Sequence, residues 1–163
     1  MKFSSQEEYG LRCLVQLARA DEGASLNLNE LSEREGLSVP HVAKMMRLLR
    51  RAGFVLSTRG QAGGYALARP AEKIPVGQVL AVLGGRLFDS SFCERHAGVE
   101  DSCTHLGDCS IRPVLRQVQD VVDRVLGTLT LKDLACSEQQ MMATARLGSH
   151  TFPLQIIPIE DRP

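Results

Sequence analysis

The chain has no tryptophan, two tyrosines and five phenylalanines. At 4% aromatic it lacks the stacking platforms on which proteins hold single-stranded nucleic acid. Net charge is also absent, since nineteen Lys and Arg balance nineteen Asp and Glu. No apolar run approaches the ~18–20 residues of a membrane span. The opening MKFSSQEEYGLR has no basic-then-apolar signal layout, so a cytoplasmic protein with no membrane partner is expected. G-x-S-x-G, Walker and H-E-x-x-H motifs do not occur, and an enzyme is not expected. The C-x2-C knuckles of structural zinc sites are missing too. What is present is ordinary globular composition, 44% hydrophobic and 23% charged over 163 residues. That length fits one domain, or one small domain plus an oligomerisation element.

The zero net charge hides a segregation. From Leu37 to Ala71 there is no Asp or Glu, while Lys44, Arg47, Arg50, Arg51, Arg59 and Arg69 all fall in that stretch. A local excess of six positive charges, offset elsewhere, suits a surface for a polyanion.

Periodicity places the elements. Ser4 to about Ala20 reads as a helix, with Ser4 or Ser5 as cap and Glu7 and Glu8 in the first turn, where the dipole favours acids. A short helix from about Asn29 to Glu35 stops at Gly36. Ser38 is the expected cap of the next helix, which has Pro40 in its first turn and runs to Gly53. Two helices joined by a tight turn, the second with a basic flank, form a helix-turn-helix. After Gly53 the period becomes two: residues 54–58 and 64–68 read as strands of a hairpin. Helix-turn-helix plus hairpin is a winged helix. A helix from Val76 to Leu83 follows Pro75, and residues 89–110 show no helical period. Ser110 is the expected cap of a long helix whose Ile111, Val114, Leu115, Val118, Val121, Val122, Val125 and Leu129 step by three and four. Such a seam favours a second copy of itself. Residues 137–147 read as a weaker helix before a proline-rich tail. The expected fold class is mainly α: a winged helix-turn-helix with a two-stranded wing, plus a long C-terminal dimerisation helix.

In a helix-turn-helix the first turn of the second helix meets base edges. Ser38 and His41 can hydrogen-bond there, and Val39 and Pro40 can make apolar contact. Lys44, Arg47 and Arg51 are read as phosphate contacts, and Arg50 as a solvated or ion-paired residue. Arg59, followed by Gly60 at the wing tip, is placed to enter a minor groove.

Five cysteines are an odd number for a disulfide framework. Cys13 and Cys136 read as small buried side chains. Cys93, Cys103 and Cys109 lie within seventeen residues of a polar segment, spaced C-x9-C-x5-C, and look like metal ligands. An iron–sulfur centre, zinc with His96 or His105, and a thiol redox switch all remain open on spacing alone.

The helix-turn-helix, the wing Arg59-Gly60-Gln61-Ala62-Gly63-Gly64-Tyr65, the three-cysteine segment and the long helix together resemble the Rrf-type winged-helix regulators over about residues 1–135. The resemblance implies a homodimeric transcription factor on a pseudo-palindromic double-stranded DNA operator. It also implies one iron–sulfur cluster per subunit, 2Fe–2S or 4Fe–4S, on Cys93, Cys103 and Cys109, whose state switches operator affinity. IscR-like members of the family place a ligating histidine three residues after the last cysteine, where this chain has Arg112. NsrR-like members use an acid in the first helix of the other subunit, and Glu8 stands at the matching place. RsrR-like members add a histidine four residues on, where this chain has Arg12. The implied fourth ligand is therefore Glu8 from the partner subunit. A zinc-bound adaptor and a cluster-free thiol sensor are the alternatives. The expected division is 1–84 as DNA-binding domain, 85–110 as cluster-binding loop, 111–136 as dimerisation helix and 137–163 as C-terminal helix and tail.

Overall fold

Capping residues at three-residue spacing start the first two helices. In the computed structural model, which describes residues 3–21, 23–58, 63–98 and 102–147, Ser4 caps α1 (Ser5–Arg19). Glu7, not Glu8, completes its capping box by accepting from the Ser4 amide at 2.8 Å. Asn27 caps α2 (Leu28–Glu35), accepting from the amides of Asn29 and Glu30, and Glu30 returns to the Asn27 amide at 2.7 Å. Gly36, with φ of 63°, ends α2 in the left-handed conformation that glycine tolerates and turns the chain into α3 (Val39–Arg51).

Ser38 occupies the N-cap of α3 but makes no side-chain cap bond, contrary to expectation. Pro40 at the second helical position has no N–H to offer, and the Ser38 hydroxyl lies 3.1 Å from His41 Nδ1 instead. β1 (Val55–Thr58) and β2 (Gly64–Leu67) pair antiparallel, Val55 opposite Leu67 and Thr58 opposite Gly64. Tyr65 also exchanges both backbone bonds with Leu26, at 2.8 and 3.0 Å. This docks the wing on the start of α2. A Cβ on Gly64 would sit 2.6 Å from the Leu26 carbonyl oxygen, so glycine is what permits the approach.

After the 3-10 turn Ala71–Lys73, α4 (Val76–Gly84) crosses α1 at close range; a Cβ on Gly10 would lie 2.7 Å from Leu83 Cδ2. The core joins Leu14, Leu31, Met46, Leu49, Val55 and Val79, all without solvent exposure.

Two expectations are corrected beyond this point. The cysteine segment holds one helical turn, α5 (Phe92–Arg95), too short to leave a period in sequence. Asp89 organises it by accepting from the Ser91 amide at 3.0 Å and pairing with Arg95 at 3.1 Å. The long helix α6 (Ile111–Gly127) stops nine residues before 136, and Ser110 gives it no side-chain cap bond. Thr130 and Asp133 form a new capping box that starts α7 (Leu131–Leu134), and α8 (Glu138–Leu147) follows. The strand-like bridge between Pro75 and Thr130 carries the chain back to the winged-helix body, where Leu131 is fully buried in the core. That core therefore draws on residues well past 84. Arg59, Gly60 and the tail 148–163 lie outside the described residues. Among the described residues no helix is long and apolar enough to cross a membrane.

Candidate functional site

The amphipathic pattern of α3 decides which residues face outward. Val42, Met45, Met46 and Leu49 point into the core, so Ser38, Val39, Pro40, His41, Lys44, Arg47 and Arg51 are all left exposed. Pro40, Lys44, Arg47 and Arg51 follow three- and four-residue steps along one stripe. Among the described residues no carboxylate pairs with the three cations, and Arg50 is exposed as well. Arg69, by contrast, is half-buried and engaged within the chain. Its guanidinium lies over the Phe54 ring at 5.2 Å and its Nε donates to the Lys73 carbonyl. A groove of about 410 Å³ separates the start of α2 from the wing, lined by Asn27, Asn29, Val39, Thr58 and Tyr65.

A polar network that sequence reading missed ties α1 to the helix-turn-helix. Glu8 is 60% exposed at its side chain and meets Arg12 at 3.4 Å. Arg12 Nε donates to Glu35 Oε2 at 2.6 Å, and its Nη2 donates to the Glu35 main-chain carbonyl at the end of α2. Gln16 donates to the other Glu35 oxygen at 2.6 Å. The Glu35 carboxylate is only 8% exposed, and its bonds hold the Arg12 pKa above the ordinary guanidinium value. Tyr9, beside Glu8, lies under the Arg12 guanidinium and 6.4 Å from the His41 ring. The face of α1 that carries Glu8 thus touches both sides of the turn between α2 and α3. Partners twenty-three residues apart give no periodic signal, and only the acid at the end of α2 hinted at one.

The three clustered thiols are free and half-buried. Cys13 is fully buried, and burial pushes its thiol up to about 11, which makes it inert. Cys136 is half-buried, with its Sγ donating to the Asp133 carbonyl at 2.8 Å. Both ends of the cysteine segment are fastened to α6. At one end the buried Gln119 accepts from the Phe88 amide at 3.0 Å and donates to Asp123, which also pairs with Arg86. Phe88, Phe92 and His96 then form a run of ring contacts over α5, and His96 Nδ1 lies 2.8 Å from the Phe92 carbonyl. At the other end Arg112 Nη2 donates to the carbonyls of His105 and Leu106, midway between Cys103 and Cys109, both at 3.2 Å.

Three thiols free of disulfides in one anchored segment fit the donor set of an iron–sulfur or zinc centre. Among the described residues, however, no three His, Cys, Asp or Glu side chains converge to hold a metal ion, so the chain by itself does not bring Cys93, Cys103 and Cys109 together.

α6 presents two distinct faces. Gln119, Val122 and Leu126 turn inward, with Leu126 against Gly77 of α4. Ile111, Val114, Val118 and Val125 face outward, from 64% exposed at Ile111 to 41% at Val125.

Comparison with known proteins gives a consistent answer. Residues 3–137 match the family model Rrf2, described as an iron-dependent transcriptional regulator. The protein rrf2 of Nitratidesulfovibrio vulgaris is 34% identical over 139 residues, covering 82% of this chain and 87% of that one. CymR, the global cysteine regulator of B. subtilis, superposes with a TM-score of 0.65 at 29% identity, over 83% of this chain and 96% of that one. IscR of T. potens superposes at 0.63 and 29%, over 89% and 88%.

Proposed function

The chain belongs to the Rrf2 family of transcriptional regulators, a family of non-enzymatic DNA-binding proteins, and from that membership we propose a cytoplasmic homodimer whose operator affinity follows the state of an iron–sulfur centre. In this reading residues 1–84, closed by Leu131, form the DNA-binding body, 85–110 hold the centre and α6 forms the dimer seam. Cys93, Cys103 and Cys109 would hold the centre in each subunit, with Glu8 of the partner subunit as fourth ligand. An iron–sulfur centre supplies there a one-electron couple and a target for nitric oxide or oxygen.

The observation that carries the switch is the continuity from Glu8 through Arg12 to Glu35. Glu8 withdrawn toward the neighbouring subunit gives up its contact with Arg12, and Arg12 is what holds the end of α2. Ser38, Val39, Pro40 and His41 begin three residues later, so the base-reading turn is positioned by the same guanidinium. Lys44, Arg47 and Arg51 set register on phosphate, and Arg59 with Gly60 extends the wing toward a minor groove. Half-sites one helical turn apart require the two α3 helices ~34–36 Å apart. A small rotation of each body about α6 is enough to lose that match. A carboxylate is a hard donor for iron and the most easily released ligand of the four, which places the sensitivity at Glu8.

Operator binding by the oxidised, reduced and cluster-free protein at one salt concentration tests the switch: distinct affinities are expected, and equal ones overturn it. Mixed dimers test the ligand set. A Glu8→Ala subunit paired with a Cys93→Ala subunit retains one complete site if Glu8 acts across the dimer, and none if it acts within its own chain. Half the wild-type iron is expected. A second reading, a cluster-free thiol sensor, is favoured by the likeness to CymR and by the unconverged thiols. Anaerobic protein that lacks iron and sulfide but loses operator affinity on mild oxidation would establish it. Stoichiometric zinc in colourless protein would instead support a structural adaptor.

A further inference from the structure

Arg112 stands where the IscR-like pattern has a ligating histidine. A guanidinium cannot ligate, yet it is not idle. Its Nη2 clamps the His105 and Leu106 carbonyls, which places the side chain across the base of the loop that carries Cys103 and Cys109. Its Nε is buried and has no hydrogen-bond partner among the described residues. A buried donor without an acceptor costs roughly 1–3 kcal/mol, more when the group is charged. The same side chain therefore holds the loop and carries one buried, unsatisfied, positively charged N–H. Besides the exposed Asp108 carboxylate, the segment can bring sulfur bearing negative charge, since thiolates bound to iron remain acceptors for charge-assisted hydrogen bonds.

We propose that Arg112 is a positioning residue of the thiol centre: its Nη2 fixes the Cys103–Cys109 loop while its Nε–H donates to a sulfur of the bound centre. The inference rests on the iron–sulfur reading above and adds a role that no ligand performs. A cation donating to sulfur favours the more negative, reduced form, so Arg112 raises the potential of the centre. Fixing the loop slows release of iron.

The test compares full-length wild type, Arg112→Gln and Arg112→Lys, each reconstituted anaerobically. The readouts are midpoint potential by spectroelectrochemistry, iron release to a chelator, and amide hydrogen exchange over 102–110 in the cluster-free protein. Arg112→Gln is expected to lower the potential and to speed iron release by about 10–100-fold, the usual effect of removing an outer partner of a metal site. Arg112→Lys restores the charge without the two-sided fork, so it is expected to recover part of the potential but not the exchange protection. An Arg112→Gln centre with wild-type potential overturns the proposal, even if exchange over 102–110 increases, because Arg112 is then a brace alone. Wild type that takes up no iron overturns the cluster reading and this inference together. Wild type that loads normally beside an indistinguishable Arg112→Gln overturns this inference only.

Discussion

Replacing Arg12 with methionine keeps an unbranched apolar stem and removes the charge and all the donors. Two bonds to the end of α2 disappear, one to the Glu35 carboxylate and one to the Glu35 carbonyl. The carboxylate, 8% exposed, is left with Gln16 as its remaining partner. Breaking a fully buried pair from one side costs about 3–5 kcal/mol. Arg12 is itself 39% exposed, so water reaches the site and screens the loss, which scales the expected cost to about 1–2 kcal/mol. Urea unfolding of the cluster-free protein, followed by far-ultraviolet circular dichroism because there is no tryptophan, measures it. The double variant with Glu35→Gln should recover about half, since it no longer strands a charge. Operator affinity should fall about three- to tenfold, the equivalent of roughly 0.7–1.4 kcal/mol. Its dependence on salt should not change, because no phosphate contact has been removed. Stability within about 0.3 kcal/mol of wild type, or an affinity loss with a shallower salt slope, would refute the reasoning; the latter would make Arg12 a DNA contact.

Gly64→Ala must move the wing off the Leu26 carbonyl or break the Leu26–Tyr65 bridge. It is expected to cost about 2–4 kcal/mol in urea unfolding, and a change within about 0.5 kcal/mol would show that the approach is not tight. Val118→Asp puts a charge at the middle of the outward face of α6. Sedimentation should show dimer dissociation strengthened by about a hundredfold or more, whereas Arg116→Asp, exposed off that seam, should leave the dimer intact. The Cys13 thiol, raised to about 11 in the folded state from 9.0, ionises more easily once unfolded. Its contribution to stability is therefore constant below pH 9 and falls between pH 9 and 11, by about 2–3 kcal/mol at the upper end. Cys13→Ala should be less stable than wild type at pH 7, and the gap should close across that window.

The fold was legible where local chemistry decides it. Ser4 with Glu7, Gly36 at the end of α2 and the change of period after Gly53 each act within a few residues, and the structure places elements at those boundaries within two residues. Errors arose where one residue type serves two uses. Ser38 and Ser110 have the chemistry of caps, but Pro40 removes an amide from one, and the other sits in helical backbone, with φ of −66° and ψ of −21°. The run of apolar residues past Val125 read as one helix because Leu129 prolongs the pattern. The Thr130–Asp133 spacing is a capping box and was available as a stop-and-restart signal. The basic face of α3 was readable because acids are absent around it. The Arg12–Glu35–Gln16 cluster was not, since which of several Arg and Glu residues meet depends on how α1 crosses α2.

In the iron–sulfur reading proposed above, the placement of the cysteines also bears on how the protein would survive the loss of its centre. The buried core includes Cys13 but none of Cys93, Cys103 and Cys109. These three hang from α6, held at one end by Gln119 and Asp123 and at the other by Arg112. Glu8 belongs to a different assembly, the α1–α2–α3 body, whose core is complete without it. In that reading, losing the bond from Glu8 leaves the core packed, because none of the three thiols belongs to it, while Leu126 of α6 stays against Gly77 of α4. What would change in that reading is the relative placement of the two assemblies, the quantity to which a pair of recognition helices on DNA is most sensitive. A cofactor built into the core would instead couple signal to unfolding, and the regulator would be destroyed by the event it reports.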